Sequence, residues 1–121
     1  MSRMLLDDSA IHAGIKDAIG VAHQDTVEEV IKLAEDNTVL VIGMAHNPYC
    51  KKIRKALDGT GVAYRYVEYG SYTKEWRRRL ALKMWTGWST FPMVFVNGVL
   101  VGGNEQIEGL IRSGELKEML K

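Results

Sequence analysis

The single cysteine of this 121-residue sequence, Cys50, lies in a segment that could carry thiol chemistry. It follows His46, Asn47, Pro48 and Tyr49 without interruption. Asparagine is a favoured N-cap and proline is favoured at the first helical position, so the segment predicts a helix that begins at Asn47. The positive end of a helix dipole favours a thiolate, which is the nucleophilic form. Cys50 is therefore a candidate reactive thiol; the alternative is a small buried side chain in the first helical turn.

The composition is that of one globular domain. Hydrophobic residues make up 46% of the sequence, charged residues make up 26%, and the formal net charge is +1. These values exclude a disordered chain, and the near-zero charge argues against nucleic-acid or anionic-membrane partners. No apolar run is long enough for a membrane span. One cysteine allows neither an internal disulfide nor a multi-cysteine metal site, so we expect no metal ligands and a cytoplasmic location.

Periodicity and turn signals predict the element order α-α-β-α-β-α-β-β-α-α. The apolar run 38–44 is typical of a strand covered on both faces, and Asn97-Gly98 predicts a type I′ hairpin turn. This order predicts an α/β domain with a four-stranded mixed sheet and helices on both faces. Residues 1–24 are interpreted as an arm with an extra N-terminal helix, and residues 25–121 as the domain. The predicted helices are 9–23, 25–37, 48–57, 73–85, 104–112 and 115–120, with Asn104 as the N-cap of helix 104–112. The predicted strands are 38–44, 62–69, 93–96 and 99–101.

The aromatic residues after residue 75 divide into two groups. Trp76, Leu80 and Met84 recur at a spacing of four, which predicts an apolar helix stripe and places Trp76 in the core. Trp85 and Trp88 flank the loop that follows, and we expect them to line a groove.

Several short motifs occur in the order in which the glutaredoxin family carries them. The run from Asn47 to Cys50 resembles the Cys-Pro-Tyr-Cys active-site motif of that family, with Asn47 in place of the first cysteine. The run from Trp88 to Pro92 resembles its Trp-Pro-Thr-Phe-Pro segment, most closely in the monothiol branch. The resemblance covers about residues 26–120 and implies the thioredoxin-like fold, with Pro92 as a cis-proline beside the active-site helix. Two later motifs belong to the same series: Val96-x-Gly98 and Gly102-Gly103.

The departure from the family falls on the reacting group. The resemblance implies that the first cysteine of the motif is the nucleophile, and Asn47 holds that position here. Cys50 matches the second, resolving cysteine. We therefore expect thiol-disulfide or glutathione redox chemistry with altered or reduced activity, carried by Cys50 with Asn47, Pro48 and Tyr49 around it. The alternative is a redox-inactive glutathione- or peptide-binding module, and whether the protein is an enzyme stays open.

The resemblance also implies glutathione as the bound cofactor. In the family the tripeptide lies along the segment before the cis-proline, and basic residues and helix amides hold its carboxylates. A lysine that precedes the family motif is replaced here by Met44, so we expect binding weakened by about 1–3 kcal/mol. The positions that match the family's glutathione contacts are Arg79, Phe91, Pro92, Gly103, Asn104 and Glu105.

Partners follow from the same resemblance. Monothiol glutaredoxins hold a 2Fe-2S cluster between two subunits through the nucleophilic cysteine, and because Asn47 replaces that ligand, a cluster carrier is the least favoured function. Glutathione or protein thiols are the expected partners. The chain is expected to be a monomer, or a weak homodimer if the isoleucine stripe of 9–23 is exposed. An acidic protein partner is suggested by the basic residues Lys51, Lys52, Arg54 and Lys55.

Overall fold

The computed structural model describes Ser9 and residues 24–71 and 73–121, and it contains the predicted order of elements from the second helix onward. The predicted helix 9–23 lies outside the described residues. Strand 62–69 and helix 73–85 begin later than predicted. The elements are α1 (Gln24–Asp36), β1 (Val39–Gly43), α2 (Pro48–Thr60), β2 (Arg65–Glu68), α3 (Trp76–Thr86), β3 (Met93–Val96), β4 (Val99–Gly102), α4 (Asn104–Ser113) and α5 (Glu115–Met119).

The four strands form one mixed sheet in the order β2-β1-β3-β4. Strand β1 pairs parallel with β2 and antiparallel with β3, and β3 and β4 form the hairpin. The φ angles of Asn97 and Gly98 are 52° and 78°, as the predicted type I′ turn requires. Every residue of β1 is buried, which confirms a central strand covered on both faces.

Both faces of the sheet are covered by helices. Leu40 and Ile42 of β1 point to the face that packs against α1 and α3, where they join Val30 and Leu82 in one apolar cluster. Neighbouring residues along β1 point the opposite way, since side chains alternate along a strand. The second cluster lies beneath α2, α4 and α5 and includes Val39, Val41, Ile53, Leu57, Ile107 and Leu116.

Helix α3 is rotated relative to the prediction. Trp76, Leu80 and Met84 are 54%, 45% and 57% exposed, so the placement of Trp76 in the core was wrong. The buried side carries Leu82 and Arg79 instead. The Nη1 atom of Arg79 donates hydrogen bonds to two loop carbonyls, those of Tyr69 (2.8 Å) and Lys74 (2.6 Å), and these bonds allow a charged side chain to be buried.

Candidate functional site

Helix α2 begins where the sequence predicts. Asn47 is the N-cap, and its Oδ1 atom accepts hydrogen bonds from the backbone N–H groups of Tyr49 (2.9 Å) and Cys50 (3.1 Å). Pro48 is the first helical residue, and the exposed His46 precedes the cap with a φ of 65°. The amides that would stabilise an anion at this helix end therefore already have an acceptor.

The Cys50 side chain is enclosed between α2 and the sheet, with only 1% of its surface exposed. The sulfur and the hydroxyl of Tyr66 crowd the same spot beside Gly43. A Cβ atom at Gly43 would lie 2.9 Å from the Cys50 Sγ and 2.5 Å from the Tyr66 Oη. The Tyr66 hydroxyl donates to Oε1 of Glu68 (2.9 Å), and the Arg54 guanidinium lies 4.1 Å from the centre of the Tyr66 ring. The phenol thus covers the thiol.

Burial raises the pKa of the Cys50 thiol above its ordinary value. Smaller opposing effects on that pKa come from hydrogen bonds with the Met44 backbone and with Tyr66, while the negative charge of Glu68 raises it further. Cys50 is therefore a buried side chain in the first turn of α2, and its thiol is protonated at neutral pH. This agrees with the alternative interpretation of the sequence, a small buried side chain rather than a reactive thiol.

A second corner of the molecule is built on the cis peptide bond between Phe91 and Pro92, the form expected for this proline. The carbonyl oxygen of Pro92 faces Gly103, where a Cβ atom would lie 2.9 Å from that oxygen and 3.4 Å from Nε1 of Trp88. Trp88 therefore borders this corner. Trp85 stacks on Phe95, with ring centres 6.0 Å apart.

The N-terminus of α4 completes this corner, which we call the α4 corner: Phe91, Pro92, Trp88 and residues 103–105. The N-cap is Gly103, so the prediction of Asn104 as the cap was wrong. The Gly103 amide donates to Oε1 of Gln106 (3.0 Å). Within the described residues, the amides of Asn104 and Glu105 have no acceptor, and Nε1 of Trp88 and Oδ1 of Asn104 are buried without a partner.

The predicted site residues lie on elements that share a core. Phe91 and Cys50 belong to the same buried apolar cluster, and helices α2 and α4 pack against each other. Arg79 is 6% exposed, and its Nη1 atom donates to the two loop carbonyls described above. Sequence reasoning missed Tyr66 and Gln106. The Gly-x-x-Gln spacing of residues 103–106 could have identified Gln106, because it matches the spacing of a capping box.

In the described part of the chain, no group of three or more His, Cys, Asp or Glu side chains could hold a metal ion. No helix of that part has the length and apolarity needed to cross a bilayer. The residues present do not fit a cluster shared between subunits, because the sulfur of Cys50 is enclosed and Asn47 supplies no thiolate.

Comparison with known proteins gives a consistent picture. The glutaredoxin family model matches residues 39–101. A glutaredoxin-like protein of Dictyostelium discoideum is 42% identical over 107 residues, covering 88% of this chain and 87% of the relative. A glutaredoxin of Ricinus communis is 33% identical over 89 residues, covering 74% and 87%.

Solved structures agree with the sequence relatives. A buckwheat glutaredoxin-glutathione complex superposes with a TM-score of 0.72 at 28% identity, covering 80% of this chain and 88% of that one. The four-stranded mixed sheet with its flanking helices is thus the thioredoxin-like fold of glutaredoxins. The chain belongs to the glutaredoxin family.

Proposed function

We propose that this glutaredoxin-like protein binds glutathione, or a similar thiol peptide, at the α4 corner and has strongly reduced thiol-disulfide exchange activity. One observation carries the proposal. The Oδ1 atom of Asn47 accepts from the amides of Tyr49 and Cys50, at the helix end where a family member holds its nucleophilic sulfur. The chain would thus keep the ligand-binding residues of the α4 corner but lack the nucleophilic sulfur at the N-terminus of α2.

The expected loss of exchange follows from the chemistry of the step. A thiolate must attack one sulfur of a disulfide and release the other sulfur as a thiolate. The carboxamide of Asn47 cannot do this. Cys50 has the required sulfur, but it is enclosed beneath Tyr66 and its pKa is raised by burial. A protonated, enclosed thiol is a poor nucleophile.

Ligand binding has separate support. Glutathione offers two carboxylates, an ammonium group and a peptide backbone. The amides of Asn104 and Glu105 suit a carboxylate at a helix N-terminus, and Nε1 of Trp88 can donate. The backbone at Phe91 and the cis-proline Pro92 would lie along the peptide backbone of the ligand. The buckwheat relative is itself a glutathione complex.

Affinity is expected to be lower than in a family member with both basic contacts. Met44, at the position of the family lysine, is buried and uncharged. Arg79 is bonded to the carbonyls of Tyr69 and Lys74. The ligand carboxylates would therefore depend mainly on backbone amides rather than on side-chain cations.

Two measurements on the full chain test this function. Reduced glutathione is titrated into ¹⁵N-labelled protein, and we expect shifts concentrated at Phe91 and residues 103–105. Glutathione-dependent disulfide reduction is then compared between the wild type and Cys50→Ser, and we expect equal, negligible rates. Unmoved resonances at the α4 corner would contradict binding, and a wild-type rate that Cys50→Ser abolishes would show that Cys50 is an active nucleophile.

A further inference from the structure

Helices α2 and α3 carry four cations each but differ in how those charges are compensated. Every cation of α3 has a contact within the chain. Arg78 pairs with two carboxylates, Arg79 donates to loop carbonyls, and the side chains of Arg77 and Lys83 lie over aromatic rings. The charges of α3 are therefore used by the fold itself.

The cations of α2 have few such contacts. Lys52 lies 3.8 Å from Oε1 of Glu108 on α4. Lys51, Arg54 and Lys55 are exposed, and within the described residues they have no carboxylate partner. Two acids of α2 and β2 accept hydrogen bonds from tyrosine hydroxyls instead of pairing with these cations: Asp58 and Glu68.

The positions of these cations do not favour the helix. Lys51 and Lys55 are four residues apart, so their like charges lie on the same side of α2 and repel each other. Lys51 also lies close to the N-terminus of α2, where the helix dipole disfavours a cation. Helix stability therefore does not account for this arrangement, whereas an anionic partner outside the chain does.

Arg54 is held in a position that suits a carboxylate. Its guanidinium carbon lies 4.1 Å from the centre of the Tyr66 ring. This contact uses the flat face of the guanidinium, and within the described residues its N–H groups have no acceptor. A planar guanidinium binds a carboxylate through two parallel hydrogen bonds. The aromatic contact therefore orders the side chain and leaves its donors available.

We infer that Lys51, Arg54 and Lys55, which we call the α2 basic face, bind an acidic segment of a partner protein. Lys51 and Lys55 are about 6 Å apart along the helix axis. An extended polypeptide presents side chains on one side about every 6.6 Å, so alternate carboxylates match this spacing. Docking at this face requires no ligand at the α4 corner.

Other anionic partners fit this face less well. Nucleic-acid binding typically neutralises about 6–10 phosphates, and anionic membranes are recognised by clusters of about 4–8 cations. The α2 basic face offers three cations, and the formal net charge of the whole chain is only +1. A short acidic polypeptide segment therefore matches the size and charge of the face best.

The test is an NMR titration of the ¹⁵N-labelled full chain with a synthetic peptide that alternates glutamate and serine. We expect shifts concentrated at residues 51–55, and a Kd that rises at least about fivefold between about 50 and about 300 mM salt. A peptide with glutamine in place of glutamate should leave these resonances unmoved. Arg54→Lys keeps the charge but loses the planar donor group, and it should raise the Kd about threefold.

Lys51→Glu separates binding from stability. It should raise the Kd of the glutamate peptide at least about tenfold. It should also raise the midpoint of urea denaturation, because the new acid lies near the positive helix end and one turn before Lys55. A variant that was merely damaged would lose both.

Lys32→Glu is the matched control, because it makes the same charge change on α1, which covers the opposite face of the sheet. It should change the Kd less than about twofold. The inference is overturned if the two variants weaken binding equally or if the shifts spread over the cations of α3. Tighter binding of a single-stranded RNA or of anionic phospholipid vesicles than of the glutamate peptide at equal salt would also overturn it.

Discussion

Two helices that pack against each other in this fold have N-termini that differ in how their amides are satisfied. At α2 the side chain of Asn47 accepts from the amides of Tyr49 and Cys50. At α4 the side chain of Gln106 binds only the Gly103 amide, and in the described chain the next two amides have no acceptor. The first helix end is closed by its own cap, while the second remains available to a ligand.

The comparison shows that one physical device can serve either stability or binding. Both ends present backbone N–H groups and the positive end of a helix dipole. What decides the use is a single neighbouring side chain. At α2 an asparagine supplies the acceptor from within the protein, whereas at α4 Gly103 has no side chain and packs against the Pro92 carbonyl.

The largest expected effect comes from reopening the α2 end with a thiol. Asn47→Cys should raise glutathione-dependent disulfide reduction by about 100-fold or more over the wild type, since a sulfur would then face amides that favour its thiolate. Steady-state assays measure the rate. Asn47→Ser is the control because it keeps a capping oxygen without a sulfur, and its rate should stay at the wild-type level. Equal rates in the Cys and Ser variants would refute the closed-cap explanation.

Adding a negative charge to the α4 end should weaken ligand binding. Asn104→Asp would place a carboxylate where the glutathione carboxylate is proposed to bind, and we expect its Kd to rise about tenfold. Isothermal titration calorimetry or NMR titration gives the Kd. Gly109→Asp adds the same charge farther along α4, where a Cβ atom meets no neighbour within 4 Å, and it should change the Kd less than about twofold. Similar losses in both variants would argue against a carboxylate site at Asn104.

Truncating the two asparagines should distinguish a side chain that caps its helix from one whose oxygen has no partner within the described residues. Asn47→Ala should lower the free energy of unfolding by about 1–2 kcal/mol, because two amides lose their acceptor. Asn104→Ala should lower it by less than about 0.5 kcal/mol, because its Oδ1 atom has no partner among the described residues. Urea denaturation without glutathione measures both values. Equal losses would remove the distinction between the two ends.

The smallest expected effect is a loss of stability at alkaline pH. Burial raises the pKa of Cys50, Tyr66 and Tyr69 above their ordinary values of 9.0, 10.0 and 10.0. As pH rises through those values the unfolded state releases these protons first, so the free energy of unfolding should fall. Denaturation at about pH 8 and about pH 10.5 checks the sign. Tyr69→Phe should reduce the fall, and a pH-independent stability would contradict it.

Features set by neighbours in sequence were predictable. The cap at Asn47 and the turn at Asn97-Gly98 depend on residues adjacent in the chain, and both are observed. The enclosure of Cys50 could not be predicted in this way, because it depends on Gly43 and Tyr66, which only the folded sheet brings together. The parallel β1–β2 pairing creates that contact.

Two errors have the same physical origin. The spacing of Trp76, Leu80 and Met84 identifies one side of a helix but does not say which side meets the sheet. That choice depends on the carbonyls of Tyr69 and Lys74, which satisfy the buried Arg79. The cap of α4 is displaced by one residue because close packing against Pro92 leaves no space for a side chain at position 103.

The covering of Cys50 by Tyr66 has a practical consequence for experiments on this protein. The sequence contains no second cysteine, and the sulfur of Cys50 is almost entirely enclosed. A cysteine introduced at an exposed site would therefore be the thiol that a maleimide dye or spin label reaches, without prior removal of the native one. The chain is a convenient host for site-selective labelling and for distance measurements in solution.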